Sequence, residues 1–561
     1  MIPLFKTIFV RIRRFCHPLV LLSWIVYLLR WIRFVYRARI RPLARKARAR
    51  LIPAALVSIL SYMLAQQIIA GDVGKAAMLL VAISLMSVLI NRSHLAVMAV
   101  LALQSTIFYE SALPRPISFG GSGLGTGETL LILVLFAAVV RAYSEKRHVP
   151  SALTIPIIFL FIAVLLALII SYREYQANPR GFYDFKAAYG GIREMLGYLF
   201  FFGLLYGIRD KRELRLVVNV AIGLAAMVSM VVILQYIMGN SVKLFLGTPE
   251  SSHFTATVGG EDKGISRLQP PGLPLMLLML LTTLYMAAAH RGKSGRMYGA
   301  LAALMASGVV LSFARNAWIS TMVALLLLLV MCPLVYKGRL IGLMAGAILG
   351  GLVLSLGIAA ISPGHSAGLR KAIVRRFETI ITVRKTYDEP GVKNRRDENE
   401  RALRTALKHP VWGVGLGNPS AYMYFKKQSG GYIVRPEIGI HNSYLDMWTQ
   451  YGIFGLIAFA WISVAFLYRC LRLWRKADEL WIRCIGLGFA LNYVGLLMRS
   501  SVVMMLIRQD YEITVAAFMW GIVEAASALA TPRRKKDLRY ELATPEMPHT
   551  NTESPAPSVL A

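Results

Sequence analysis

His441 stands directly between a polar, glycine-punctuated, basic segment and a long apolar run, and it is the first place in this sequence where chemistry is expected. The polar half is solvated by water and the apolar half by lipid, so the junction belongs at a membrane surface. Histidine is the side chain used most often for general acid–base work. At the start of a helix it also lies where the helix dipole favours an anion, which suits chemistry on a lipid-linked anion. The bland alternative is a helix cap or a buried hydrogen-bonding residue. Asn442 and Tyr444 follow closely enough to orient such a base or its acceptor.

Arg315 is the second candidate. In Leu311-Ser312-Phe313-Ala314-Arg315-Asn316-Ala317-Trp318 it interrupts two apolar runs. A charge near membrane depth is costly unless paired, and so marks function by default; the alternative is an arginine snorkelling from a tight turn. Arg267 lies just ahead of a Pro-Pro-Gly entry into the next apolar run and Arg193 precedes another; both are candidate substrate-binding residues, with an interfacial anchor as the bland reading of Arg193. Arg401 begins the helical stretch before Pro410, where it can meet phosphate or pair with Asp397 or Glu398. Gly413, Gly415 and Gly417 spell G-x-G-x-G, as do Gly121, Gly123 and Gly125 with Gly127; no strand is expected before either, so both read as places of close backbone approach and not as nucleotide loops. No metal-binding motif is found, and the first outward loop, Gly71-Asp72-Val73-Gly74, holds a single carboxylate. A metal-independent site without cofactors is expected, although Glu261-Asp262 forms one outward acidic pair.

The elements that hold these residues are membrane spans. The chain has 561 residues, 56% hydrophobic, with a mean hydropathy of +0.56, against roughly 45–50% apolar in soluble domains. Apolar runs mark fourteen candidate spans, at 51–70, 75–91, 94–109, 128–142, 151–172, 194–208, 214–238, 271–290, 297–313, 317–336, 339–361, 443–468, 480–498 and 511–530. Several are short of the roughly 20 residues a bilayer needs, so twelve is also consistent. The run 18–29 is shorter still and lacks a small-residue cleavage site; it reads as an interfacial helix, not a removable signal.

The net charge of +34 belongs to loops, not to nucleic-acid binding. Residues 1–50 hold thirteen Lys or Arg and no acid, as expected of a segment lying on anionic cytoplasmic lipid. With that segment inside, the alternate loops at 91–94, 141–150, 209–215, 291–296, 337–339 and 469–483 are cytoplasmic and nearly all basic, as the positive-inside rule asks. Both termini are then cytoplasmic, and residues 531–561 read as a disordered tail. The exception is 362–440, outward-facing with fifteen Lys or Arg against seven Asp or Glu. Long loops cross regardless of charge. Its helical spacing at 367–377 and 398–408, broken at Pro363-Gly364, Glu389-Pro390-Gly391 and the 413–419 glycines, predicts two or three short helices over a membrane cavity. The organisation is thus a basic segment 1–50, a bundle 51–361, a large outer loop 362–442, C-terminal spans 443–530 and the tail. The four cysteines have no metal-like spacing and need no disulfide.

Three blocks resemble the O-antigen ligase and Wzy-type polymerase family: Lys408-His409-Pro410-Val411-Trp412-Gly413-Val414-Gly415-Leu416-Gly417-Asn418, His441-Asn442-Ser443-Tyr444-Leu445, and Tyr451-Gly452-Ile453-Phe454-Gly455-Leu456. The match covers about sixty residues. A similar motif surrounds Arg315, with Ala314 in place of a serine; Arg267 and Arg401 also fall where the family has arginines, although the Gly and Asn usual near Arg267 are absent. The resemblance implies an all-α, polytopic, GT-C-like bacterial inner-membrane glycosyltransferase. It would move a glycan from undecaprenyl diphosphate to a hydroxyl acceptor on the periplasmic face, with Arg315 on the diphosphate and His441 as base. Lipid A–core (ligase) and a second lipid-linked repeat (polymerase) are both open as acceptors. A protein-directed oligosaccharyltransferase and a lipid-linked glycan flippase or exporter are the alternatives.

Overall fold

In a bilayer each backbone N–H and C=O must be satisfied within its own segment, so long apolar runs fold as helices. The computed structural model describes residues 92–109, 117–119, 122–145, 149–177, 185–238, 244–245, 270–361, 390–417, 423–428, 431–436, 440–503 and 510–530. The chain divides after Ser87 into two units, and the description concerns the second, since the first lies outside the described residues. The expected spans at 51–70 and 75–91, the interfacial helix, the tail and Arg267 lie outside them as well.

The helices are α1 (Ser93–Gln104), α2 (Thr126–Ser144), α3 (Thr154–Ala177), α4 (Phe185–Met195), α5 (Phe200–Gly207), α6 (Lys211–Met238), α7 (Leu273–Ala289), α8 (Gly292–Leu311), α9 (Arg315–Met331), α10 (Leu334–Ile361), α11 (Pro390–Lys408), α12 (Ser443–Lys476), α13 (Leu480–Ser500) and α14 (Asp510–Leu529). A 3-10 turn, Leu196–Leu199, joins α4 to α5. Each of the twelve remaining expected spans coincides with a helix. Among the described residues seven helices are long and apolar enough to cross a membrane, and α1, α7 and α9 are shorter apolar helices. The protein is an all-α polytopic membrane protein.

Helix α7 is the axis of the bundle. It is apolar on every side, and all seventeen of its residues are buried, as expected of a helix with no face left for lipid. It packs against α6, α8, α9, α10, α13 and α14. By contrast α3 leaves Ile155, Ile158, Ile162, Leu165 and Ile169 exposed along one stripe, which is its lipid face. Helix α13 packs on α7, α9 and α12 at once.

Two features depart from expectation. Two short antiparallel ladders accompany the helices: β1 (Ile117–Phe119) with β2 (Ser122–Leu124), and β3 (Met423–Gln428) with β4 (Gly431–Pro436). The glycine run at 121–127 therefore does follow a strand, contrary to the sequence reading. It leads into the first turn of α2, where Glu128 supplies a negative charge unsuited to a phosphate. In the large loop the structure describes one helix and one hairpin. Pro390 and Gly391, read as a break, are instead the first residues of α11, where proline's missing N–H costs nothing. The predicted helix at 367–377 lies outside the described residues.

Candidate functional site

Helix α11 is amphipathic. Glu398, Ala402 and Ala406, spaced by four, are buried, while Arg396, Asp397, Glu400, Leu403, Arg404 and Leu407 face outward. Ala402 packs with Ile440 and Leu445 in a small satellite core that fixes α11 against the start of α12. One turn earlier on that buried face, the Glu398 carboxylate reaches His441.

The contact is a two-oxygen grip: His441 Nδ1 lies 2.9 Å from Glu398 Oε2 and 3.2 Å from Oε1. An ionised carboxylate can only accept, so Nδ1 carries the proton and donates it. That leaves the Nε2 lone pair for chemistry. The Glu398 side chain is 7% exposed and that of His441 43%, so the acid is shielded and the imidazole is open. Glu398 was read from sequence only as a possible partner of Arg401; its partner across 43 residues leaves no local spacing signal, although it is the one acid on the buried face of α11.

The residues after His441 serve to hold it. Asn442 is the N-cap of α12, its Oδ1 accepting from the backbone N–H of Tyr444 (3.1 Å) and Leu445 (3.3 Å), a cap worth about 1 kcal/mol. Tyr444 donates its hydroxyl to Leu497 O at 2.7 Å, tying α12 to the end of α13. Ser443 Oγ donates to Val503 O at 3.1 Å. Arg401 sits three residues beyond Glu398 on α11 and is half-buried.

Helix α12 is broken at Gly452, whose φ of 65° and ψ of −165° are not helical. The break frees backbone groups, and the G-x-G-x-G loop takes them up. Val414 N–H bonds Thr449 O at 2.8 Å, Gly415 N–H bonds Gln450 O at 3.2 Å, and Ile453 N–H bonds Pro410 O at 3.0 Å. Trp448 Nε1 also donates to Pro410 O, and Ser171 Oγ of α3 to Leu416 O at 2.8 Å. A Cβ on Gly413 would lie 2.7 Å from Thr449 O and Gln450 O, and one on Gly452 2.1 Å from Val411 O. These glycines let backbone meet backbone, as expected, and the partner is a broken helix. Gly452 occupies a region essentially closed to other residues, at about 1–3 kcal/mol of strain, and the contact with Val411 adds to it. Gly452→Ala should therefore lower the melting temperature of the purified protein by several degrees; an unchanged melting curve would mean that the clamp carries no stability.

Arg315 is the first residue of α9, half-buried, behind a built turn. Ser312 Oγ bonds Val309 O at 2.7 Å and accepts from Ala314 N–H at 3.3 Å. Trp318 Nε1 donates to Val309 O at 2.9 Å. Phe313, 1% exposed, takes a φ of 51°, a conformation costing a non-glycine residue about 1–2 kcal/mol. This turn replaces a smooth helical continuation between α8 and α9. Arg193 of α4 forms an ion pair with Glu128 of α2, Nε to Oε1 3.2 Å, with both side chains largely buried. Its charge has a structural partner.

His441, Glu398, Arg401, Asn442 and Tyr444 thus share the α11–α12 junction. Arg315 is held on a different helix, and α13 packs on both α9 and α12. Arg193 belongs to the α2–α4 contact.

Residues 300–460 match the family model described as O-antigen ligase. No curated protein matches the chain. The matched range runs from α8 into α12, and contains Arg315, Glu398, Arg401, His441, Asn442 and Tyr444. It bears out the resemblance read from the sequence and implies a ligase or glycosyltransferase-type enzyme of polysaccharide biosynthesis, with a lipid-linked glycan donor and an acceptor.

Proposed function

We propose that this chain, matching the O-antigen ligase family over residues 300–460, transfers a glycan from undecaprenyl diphosphate to a hydroxyl acceptor at the periplasmic face of a bacterial inner membrane. The observation that carries the reading is the His441–Glu398 pair, an exposed imidazole with Nδ1 held by a buried carboxylate. Nε2 takes the acceptor's hydroxyl proton as its oxygen attacks the anomeric carbon. The bond to the diphosphate breaks, and the leaving group departs with the electron pair. Glu398 stabilises the imidazolium so formed, as a buried carboxylate does in serine hydrolases. Arg315 faces the diphosphate, whose charge a guanidinium meets with paired N–H donors. The family implies inversion at the reacting carbon.

No metal ion is assigned a step: the leaving group is already an anion of low basicity, and the first outward loop has one carboxylate. Both termini are placed in the cytoplasm by the loop charges. The acceptor is a lipid A–core sugar or a second lipid-linked repeat.

The test is reconstitution. Purified protein in liposomes, given lipid-linked glycan and a hydroxyl acceptor in EDTA, should form transferred product. Movement of the lipid-linked glycan across the bilayer without transfer would instead support a flippase. Orientation is tested in intact cells: Leu407→Cys, at a residue 61% exposed, should react with an impermeant thiol reagent, and Ser294→Cys should not. The reverse pattern would place the His441 end in the cytoplasm and overturn the periplasmic assignment.

A further inference from the structure

The turns that open α8 and α10 carry Arg291, Lys293, Arg296, Lys337 and Arg339, and neither 286–300 nor 333–349 holds an acid. Arg339 Nη1 reaches the carbonyl of His290 at 3.5 Å, which joins the two turns. Gly299 of α8 meets Leu343 of α10, a Cβ on the glycine lying 3.3 Å from Leu343 Cδ2. Arg296 stands one turn before Gly299 and Arg339 one turn before Leu343, so both guanidiniums come to the same edge of the α8–α10 contact. Cations elsewhere at this end of the bundle are neutralised: Lys211 and Arg215 share Glu479, and Arg141 and Arg209 share Glu145. Among the described residues none of the five forms an ion pair, and Arg291, Lys293, Arg296 and Arg339 are exposed. Trp474 Nε1 donates to Tyr285 Oη at 3.4 Å, which sets the last turns of α12 beside those of α7. The cluster is therefore at the opposite end of the bundle from His441.

A furrow on the outer face of α10 opens at these charges. Gly338, Gly342, Gly346 and Gly350 recur at every fourth position, all exposed, and a Cβ on any of them would meet no described atom within 4 Å. Ile341, Leu349 and Val353 stand exposed beside them as apolar walls. From Gly338 to Gly350 the row is roughly 18 Å long at the helical rise. One leaflet is about 15 Å deep, half of a hydrocarbon core of roughly 30 Å. Glycine is a poor helix former, and four of them toward lipid gain no packing unless something lies in the space they leave.

We propose that the cluster and the furrow bind one anionic glycerophospholipid of the bilayer, its phosphate between Arg296 and Arg339 and one acyl chain along the glycines. Charge complementarity identifies the occupant. Five cations without a carboxylate need a counter-charge, and at a membrane surface anionic headgroups supply it. Guanidiniums meet phosphate oxygens with paired donors. A zwitterionic headgroup brings a cation of its own and fits less well. A second copy of the chain, paired symmetrically through the same glycines, would set its cations against these, and like charges oppose that pairing. The site is independent of the transfer chemistry assigned above.

The test is lipid binding by the full-length protein purified in detergent, titrated with phosphatidylglycerol and with phosphatidylcholine of matched chains. Mass spectrometry of the intact protein counts the lipid retained. The wild type should bind phosphatidylglycerol at least tenfold more tightly than phosphatidylcholine, and Arg296→Gln/Arg339→Gln should lose that preference. Arg475→Gln/Lys476→Gln removes two cations from the same end of the bundle, on α12, and should keep it. Equal losses in the two double variants would mean a diffuse surface attraction and overturn the site. All four positions are exposed, so misfolding does not mask the comparison. Gly342→Leu/Gly346→Leu fills the furrow and should weaken phosphatidylglycerol binding several-fold. Unchanged binding in that variant overturns the proposal, and loss of a wild-type dimer alongside it would assign the furrow to a second copy.

Discussion

His441→Asn should lose roughly 10²–10⁴-fold in the rate of glycan transfer, the usual cost of removing a general base, while remaining folded. The choice of asparagine follows from the geometry. Its amide nitrogen lies where Nδ1 lies in histidine, so the hydrogen bond to Glu398 is kept and only Nε2 is removed. His441→Ala should lose as much activity and also stability. It leaves the Glu398 carboxylate, 7% exposed, without its donor, a loss of about 1–3 kcal/mol. Because a base acts on the acceptor, neither variant should change donor affinity. Transfer and donor binding are measured together on the same preparation. Full turnover in the asparagine variant, or a collapse of donor binding in it, would remove His441 from the role of base.

The spans were legible because hydropathy over some twenty residues is a strong local signal. Helix α7 was legible as a helix, although its burial on all sides depends on six neighbours that no local pattern reports. The break in α12 was not foreseen. Residues 443–468 read as one apolar run, and only the backbone at Gly452 shows that the helix stops and restarts there. The same break explains the glycine loop, whose purpose the sequence narrowed to close approach without naming the partner. Pro390 was misjudged because proline stops a helix from within and starts one from its first turn.

The site was legible in part. His441 and Arg315 stood out because each is a polar group at the edge of apolar sequence. Asn442 and Tyr444 were expected around the base, and the structure gives each a scaffolding bond of its own, a cap and a tie to α13. Arg193 was read as an interfacial anchor or a substrate-binding residue, and the structure pairs it with the buried Glu128. Glu398 was read only as a possible partner of Arg401, and its pairing with His441 was not legible. It acts through a residue 43 positions away, and a basic loop contains many charges that look alike until the helices pack.

Arg315→Lys should be nearly as damaging as Arg315→Ala, and this is the sharper test of the diphosphate role. A lysine in this place keeps the charge and reaches a lipid–water boundary equally well, so an anchoring arginine tolerates the change. A guanidinium that grips two phosphoryl oxygens does not, since an ammonium lacks the planar fork. The surroundings sharpen the contrast. The turn before Arg315 is fixed by the Ser312 and Trp318 hydrogen bonds and by the strained Phe313, so the backbone at residue 315 cannot shift to let a differently shaped side chain reach the same point. Each charge-assisted bond lost is worth about 1.5–3 kcal/mol, or at least tenfold, and a two-bond grip predicts a loss of about 10²-fold or more in donor affinity for both variants. The measurement is donor binding alongside transfer. Poor binding in both variants, set beside unchanged binding in His441→Asn, assigns the diphosphate to Arg315 and the acceptor to His441. Transfer at the wild-type rate by Arg315→Lys would instead make Arg315 an anchor, with the fold of α9 untouched.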